Sequence, residues 1–244
     1  MKLIKTIMTI VFLCYLSSLA LAEQNGAGVE WEKLIKDTNE LRGSGDYDQA
    51  VIVAKKAIEV AENAVGPDHP DVAHSLVSLA FVYSKQRRYD LVEPLYKRSL
   101  AIMENALGSD HPDVANSLTM LARFYFTRGN YEEAEPLYKR SLAIMENALG
   151  PDSAGVVNSL NDLAQLYFTQ KQYVFAEPLY KRSLAIVDSW PEKTALPTSL
   201  YNLANLYRAT GRPDEAEELE KQAAHIEATR KGIGDTHKSV RFAK

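Results

Sequence analysis

The sequence predicts an all-α solenoid built from five antiparallel helix pairs, and three observations carry that prediction. The string from Glu93 to Gly108 returns letter for letter from Glu135 to Gly150, and its first ten residues return from Glu177 to Ile186. Both spacings are 42 residues, and a fixed period of that size belongs to stacked arrays of one supersecondary unit. Within each period, apolar residues recur at helical spacing and glycines stand where a helix has to end.

Residues 1–22 form a segment apart. Lys2 and Lys5 open it, Ile7 to Leu16 is an apolar run, and Ala20-Leu21-Ala22 is a small-x-small site, the pattern of a secretory signal peptide cut before Glu23. An uncleaved membrane anchor is the alternative reading. The run is shorter than the ~20 apolar residues a spanning helix needs, and Ser17 and Ser18 interrupt it. The only cysteine, Cys14, lies in this segment and follows Leu13, not the small residue that precedes a lipidated cysteine. A chain cut after Ala22 carries no cysteine, hence no disulfide and no thiolate metal site. Its formal charge moves from −4 to −6 as Lys2 and Lys5 are lost, which offers no attraction to nucleic acid or to an anionic membrane. Export to a bacterial periplasm is the expected destination, with the extracellular space as the other possibility. No stable membrane span is expected after cleavage.

A short linker is expected over residues 23–28 and the array over 29–231, with units near 29–69, 70–111, 112–153, 154–192 and 193–231. Residues 232–244 read as a flexible basic tail, with Gly232 as the terminator of the last helix. In the third unit Leu118, Leu121, Ala122 and Tyr125 form one apolar stripe. Gly129-Asn130 breaks that helix and offers Asn130 as the next N-cap. The second helix turns Ala134, Tyr138, Ser141 and Leu142 inward, and Gly150 ends it. Ala80, Ala164 and Ala204 match Ala122; Tyr83, Tyr167 and Tyr207 match Tyr125; Tyr47, Tyr89 and Tyr173 match Tyr131. Rows that follow a buried stripe are core packing. Asp37 and Thr38 in the first unit, and Glu220 in the last, replace apolar or aromatic residues and are expected to cap the open ends of the stack. Pro94, Pro136 and Pro178 lie past the first turn of their helices, where a slight bend without a break is expected.

The phrases Leu-Ala-x-x-Tyr, Tyr-x-x-Ala-Glu-Pro-Leu-Tyr-Lys-Arg-Ser-Leu and Leu-Gly-x-Asp-His-Pro-Asp-Val-Ala resemble the 42-residue tetratricopeptide repeats of the kinesin light chain type, over about Val29 to Gly232. The resemblance implies a right-handed superhelix and a non-catalytic scaffold that holds a protein or extended peptide in its concave groove, lined by first helices. Only the module is carried over, since export is incompatible with a motor subunit.

If Leu118 to Tyr125 face the stack, Asn116, Thr119, Arg123 and Phe126 lie on the other side of the helix. Their equivalents are His74, Val77, Phe81 and Ser84; Asn158, Asn161, Gln165 and Phe168; and Thr198, Tyr201, Asn205 and Arg208. Carboxamides pair with both the donor and the acceptor of a peptide backbone. Arg123 and Arg208 are expected to take a ligand carboxylate, and Phe126 and Phe168 to offer apolar pockets. The competing reading is an ordinary solvated helix face. Some relatives clamp a free chain terminus through a Lys-Asn-Asn-Lys-Arg set, but the required positions read Thr119, Asp162 and Thr198 here, so that specificity is not supported.

Other motifs reduce to structure. In the pairs Lys97-Arg98, Lys139-Arg140 and Lys181-Arg182 each lysine follows Glu93, Glu135 or Glu177 by four residues, a pairing internal to the helix. His69 and His111 precede prolines at helix starts, so loop structure is a better reading than zinc ligation. Residues Gly232 to Ser239 fall one residue short of a phosphate-binding loop and follow a helix where that motif requires a strand. No catalytic residue, cofactor or metal is expected. A second functional class stays open: a structural spacer or assembly factor of an envelope complex that docks through its ends and convex face.

Overall fold

The computed structural model describes residues 27–192 and 194–241, with side chains through residue 229. The signal peptide, Cys14, most of the linker and residues 242–244 lie outside the described residues. All regular structure among those described is helical: α1 over residues 27–44, α2 Tyr47–Val65, α3 Pro70–Lys85, α4 Tyr89–Leu107, α5 Pro112–Arg128, α6 Tyr131–Leu149, α7 Ala154–Thr169, α8 Tyr173–Ser189, α9 Leu196–Ala209 and α10 Pro213–Arg241. They fall into two compact units, one ending at Leu121 and the other beginning at Ala122.

In the first unit α2 packs on α3 and α3 on α4. Helix α2 buries an alanine stripe, Ala50, Ala54, Ala57 and Ala61, at most 2% exposed. Side chains this small let two helix axes approach closely. Opposite them α3 supplies Val72, Leu76, Leu79 and Val82, each worth ~1.5–3 kcal/mol when removed from water. Thr38 corrects the expectation of a polar cap. It is fully buried, and its hydroxyl donates to the Leu34 carbonyl at 2.7 Å, so the polar atom is satisfied inside its own helix and never meets solvent.

In the second unit α6 through α10 pack in sequence order. Leu160, Leu163, Ala164, Leu166 and Tyr167 of α7 are buried, and so are their equivalents Leu200, Leu203, Ala204, Leu206 and Tyr207 of α9. The Tyr167 hydroxyl is anchored by donating to Glu135 at 2.8 Å. Glu135 also takes Lys139 at 2.7 Å, as Glu93 takes Lys97 and Glu177 takes Lys181, the internal pairing read from the sequence.

Glycine is required at one recurring place. Gly66, Gly108 and Gly150 close α2, α4 and α6 at φ 84–91° and ψ 154–161°, a region only glycine occupies readily. Their N–H groups donate to Glu62, Glu104 and Glu146 carbonyls at 3.0–3.1 Å. Pro94, Pro136 and Pro178 sit inside unbroken helices. His69 and His111 cap α3 and α5, each Nδ1 accepting from the N–H two residues on at 3.2 and 3.1 Å. Asn130 occupies the N-cap of α6, but its side chain makes no capping bond. Nor does the last helix stop at Gly232: α10 continues to Arg241. A glycine weakens a helix interior by only ~1 kcal/mol and does not forbid it.

Candidate functional site

The face of α7 and α9 opposite the buried stripes is open, and its side chains belong to the set the sequence pointed to. Gln165, Phe168, Asn205 and Arg208 line one cavity of about 540 Å³, joined by Tyr180, Asn202 and Ala209. Periodicity put Tyr180 and Asn202 elsewhere, the first in the core and the second off the stripe. Tyr180 has a buried ring but sends its hydroxyl to Gln165 Oε1 at 3.0 Å. Burial pushes that phenol's pKa up, with Asp162 adding to the effect.

The amide of Gln165 is further held by Thr169, whose Oγ1 accepts from Nε2 at 3.3 Å. Asn202 and Asn205 make no side-chain hydrogen bond among the described residues, so their donors and acceptors are open. The Phe168 ring lies tilted at 5.6 Å from Tyr173, and Phe126 lies at 5.8 Å from Tyr131. Both rings are thereby fixed in place by the tyrosine that opens the next helix.

Asn158, Asn161 and Tyr201 lie on the same helices but not on the cavity wall. Asn158 is exposed, while Asn161 and Tyr201 are half-buried. Asn161 Oδ1 is shut off from solvent without a hydrogen-bond partner. In the first unit Asn116 is exposed and reaches Asp113 at 3.3 Å, while Thr119 is half-buried. Phe81 there meets Tyr96 edge-on at 6.1 Å and lies under the Arg42 guanidinium at 5.3 Å. Burial drives the Tyr96 pKa up to about 12.

The two arginines differ from expectation. Arg123 Nη2 donates to both carboxylate oxygens of Asp162, at 3.0 and 2.9 Å. Arg208 is bidentate on Glu220, Nε to Oε1 at 2.8 Å and Nη2 to Oε2 at 2.6 Å. Each guanidinium thus already holds a carboxylate from its own chain. Glu220, expected as a cap, is instead the partner of Arg208. Asp162, next to Asn161 on α7, places a carboxylate beside that face through its contact with Arg123.

These two carboxylates differ in electrostatics. Burial raises the pKa of Asp162, and the attraction of Arg123 only partly offsets it. Hydrogen bonding to Arg208 lowers that of Glu220. Among the described residues no group of three or more His, Cys, Asp or Glu is placed to hold a metal, and no helix is long and apolar enough to cross a membrane.

The family model described as tetratricopeptide repeat matches residues 41–105, 76–146, 113–189 and 170–226. The chain is similar to nephrocystin-3 of Xenopus laevis, 36% identical over 87 residues, and of Homo sapiens, 34% identical over 87 residues. Each alignment takes in 34% of this chain, which spans only 7% and 6% of those relatives. Among solved structures, kinesin light chain nearly identical TPR-like repeats of Podosopora anserina superpose with a TM-score of 0.72 at 25% identity, covering 82% of this chain and 95% of that one. BtubC (BKLC) of P. vanneervenii shares the fold at TM-score 0.73 and 22% identity, over 87% of this chain and 92% of that one.

Proposed function

The chain belongs to the tetratricopeptide repeat family, and on that premise we propose that it is a non-catalytic scaffold which holds an extended peptide segment of another protein against α7 and α9. The observation that carries this reading is the cavity where the open carboxamides of Asn202 and Asn205 stand beside Phe168 and Tyr180. A carboxamide offers one acceptor and two donors, so it can take up both the N–H and the C=O of a peptide unit without selecting its side chain. Phe168 gives a neighbouring apolar side chain a rigid surface, which lowers the entropy lost on binding.

Charge contributes little to this recognition. Arg123 and Arg208 are neutralised by Asp162 and Glu220, so a carboxylate-bearing ligand would have to displace an existing bidentate partner. The bound segment is accordingly read through its backbone and an apolar residue.

The test is selection of peptides from a random displayed library on the full chain, followed by titration of the selected peptides against Asn202→Ala/Asn205→Ala. The double substitution is expected to weaken them at least tenfold while leaving the melting temperature in place. Equal affinity for both proteins would remove the basis for the assignment. We place the scaffold outside the cytoplasm on the strength of Lys2, Lys5, the apolar run and Ala20-Leu21-Ala22. Mass spectrometry of the periplasmic fraction should find a chain beginning at Glu23, and recovery of Met1 from the cytoplasm would overturn that placement.

A further inference from the structure

The second helices of the five pairs open in the same way except at one. Asp48, Asp90, Glu132 with Glu133, and Asp214 with Glu215 put carboxylates in the first turns of α2, α4, α6 and α10, whereas α8 has none. Carboxylates there stabilise a helix, because they face the positive end of its dipole. In their place α8 carries Val174 and Phe175, which remain 83% and 58% exposed. The turn before it holds Lys171 at φ 59°, where Gly45, Gly129 and Gly211 stand in three other pairs and Arg87, at φ 60°, in the fourth.

Three locally unfavourable choices therefore coincide in one turn: a missing acid, two exposed apolar side chains and a lysine in left-handed backbone. Local rules broken together, with no gain inside the fold beyond one ring contact of Phe175, mark a surface kept for something outside it. The patch is also held in shape. Phe175 lies at 5.4 Å from the ring of Tyr167, whose hydroxyl is tied to Glu135.

Charge around the patch says what it fits. Glu132 and Glu133 open α6, the second helix of the preceding pair, and Asp214 opens that of the following pair. None of the three makes a salt bridge among the described residues, and neither does Lys171, whereas Lys181 of α8 and Arg212 before α10 are already held by Glu177 and Glu215. The two neutral apolar side chains thus stand among helix starts whose carboxylates without an ion pair, Glu132, Glu133 and Asp214, outnumber the cation without one, Lys171.

We propose that Val174 and Phe175 form a docking point for a partner segment in which a large apolar residue is flanked on both sides by lysine or arginine. The apolar residue covers Phe175 and Val174, and the flanking cations meet Glu132, Glu133 and Asp214. This contact is separate from the carboxamide cavity and does not depend on it.

The experiment uses the full chain and a labelled synthetic peptide with a Leu-Trp centre between lysines, read by fluorescence anisotropy. A twin peptide has glutamates in place of the lysines. Val174→Glu/Phe175→Glu recreates the Tyr-Glu-Glu-Ala-Glu-Pro segment that this chain already has at Tyr131 to Pro136, so it should fold with an equal or higher melting temperature. Val174→Ser/Phe175→Ser serves as a second variant.

The lysine peptide is expected to bind saturably, the twin at least tenfold more weakly, and both variants at least tenfold more weakly than the parent. Asn202→Ala/Asn205→Ala should bind the lysine peptide as the parent does, which keeps this result apart from any at the cavity. The proposal is overturned by absence of saturable binding at millimolar peptide, by equal binding of the twins, or by unchanged binding to the variants. It is overturned equally if sedimentation shows the parent self-associating through this patch and the glutamate variant not, since the occupant would then be a second copy.

Discussion

Hairpins α7–α8 and α9–α10 share one interior and differ on almost every other surface. Leu160, Leu163, Ala164, Leu166 and Tyr167 are repeated side chain for side chain by Leu200, Leu203, Ala204, Leu206 and Tyr207, all buried. Outside that stripe the pairs diverge. Gln165 is held by the Tyr180 hydroxyl in one, while Arg208 is clamped by Glu220 in the other. The α9–α10 turn is pinned by Arg212, whose guanidinium lies 3.7 Å over the Tyr207 ring and donates to Glu177 and Glu215. The corresponding α7–α8 turn has Gln172 and the exposed Val174 and Phe175. Packing between neighbours tolerates little variation, because a misfit side chain strains both helices it touches. Surfaces that meet only water are free to change, and function accumulates there.

The largest effect should come from cutting into the shared interior. Leu166→Ala and Leu206→Ala each remove a fully buried side chain, so each is expected to cost about 2–5 kcal/mol. Their locality should differ. Hydrogen exchange in Leu206→Ala should show α9 and α10 opening while α7 stays protected, since among the described helices α9 packs only on α8 and α10. Leu166→Ala should loosen the hairpins on both sides. Identical exchange patterns would show that the two positions belong to one cooperative block.

A smaller effect follows from the turns. Lys171 at φ 59° and Gly211 at φ 78° occupy equivalent positions. Lys171→Gly should raise stability by about 1 kcal/mol and Gly211→Ala should lower it by about as much, because only glycine adopts left-handed backbone without a steric cost. Denaturant midpoints measure both. A midpoint that falls with Lys171→Gly would mean the lysine side chain contributes more than its backbone costs.

The smallest effect is electrostatic, and the two hairpins should give it opposite signs. Asp162 has a folded-state pKa raised above 3.8, so the folded protein binds its proton more readily than the unfolded chain does. Its contribution therefore falls as pH rises from that ordinary value through the raised one. Glu220 is lowered, so its contribution is complete above the ordinary carboxylate range and is lost as pH falls through the folded-state value. Melting temperature against pH for Asp162→Asn, subtracted from the parent, should isolate a declining slope, and Glu220→Gln a rising one. Like-signed differences would mean that Arg123 outweighs burial at Asp162.

The array of helix pairs was legible because its signals are local: a 42-residue period, stripes at helical spacing and terminating glycines. The candidate face was legible in part. Gln165, Phe168, Asn205 and Arg208 converge as the helical period requires. Asn202 lies one residue beyond the predicted stripe, and Tyr180 looked like core because its ring is. The pairing of Arg123 with Asp162 spans 39 residues, and nothing in a single helix period announces it.

What the chain determines alone is which residues lie inward, since burial follows from spacing along one helix, and where α2, α4 and α6 end, since glycine readily adopts the backbone at Gly66, Gly108 and Gly150. The pairing of the exposed charges was settled only by tertiary packing. Whether Thr38 meets water or its own helix, whether Arg208 waits for a ligand or already grips Glu220, and whether Asp162 is stabilised or penalised as an anion all depend on distances between segments. Coulomb attraction and desolvation both act through space, and a linear order of residues does not contain those separations.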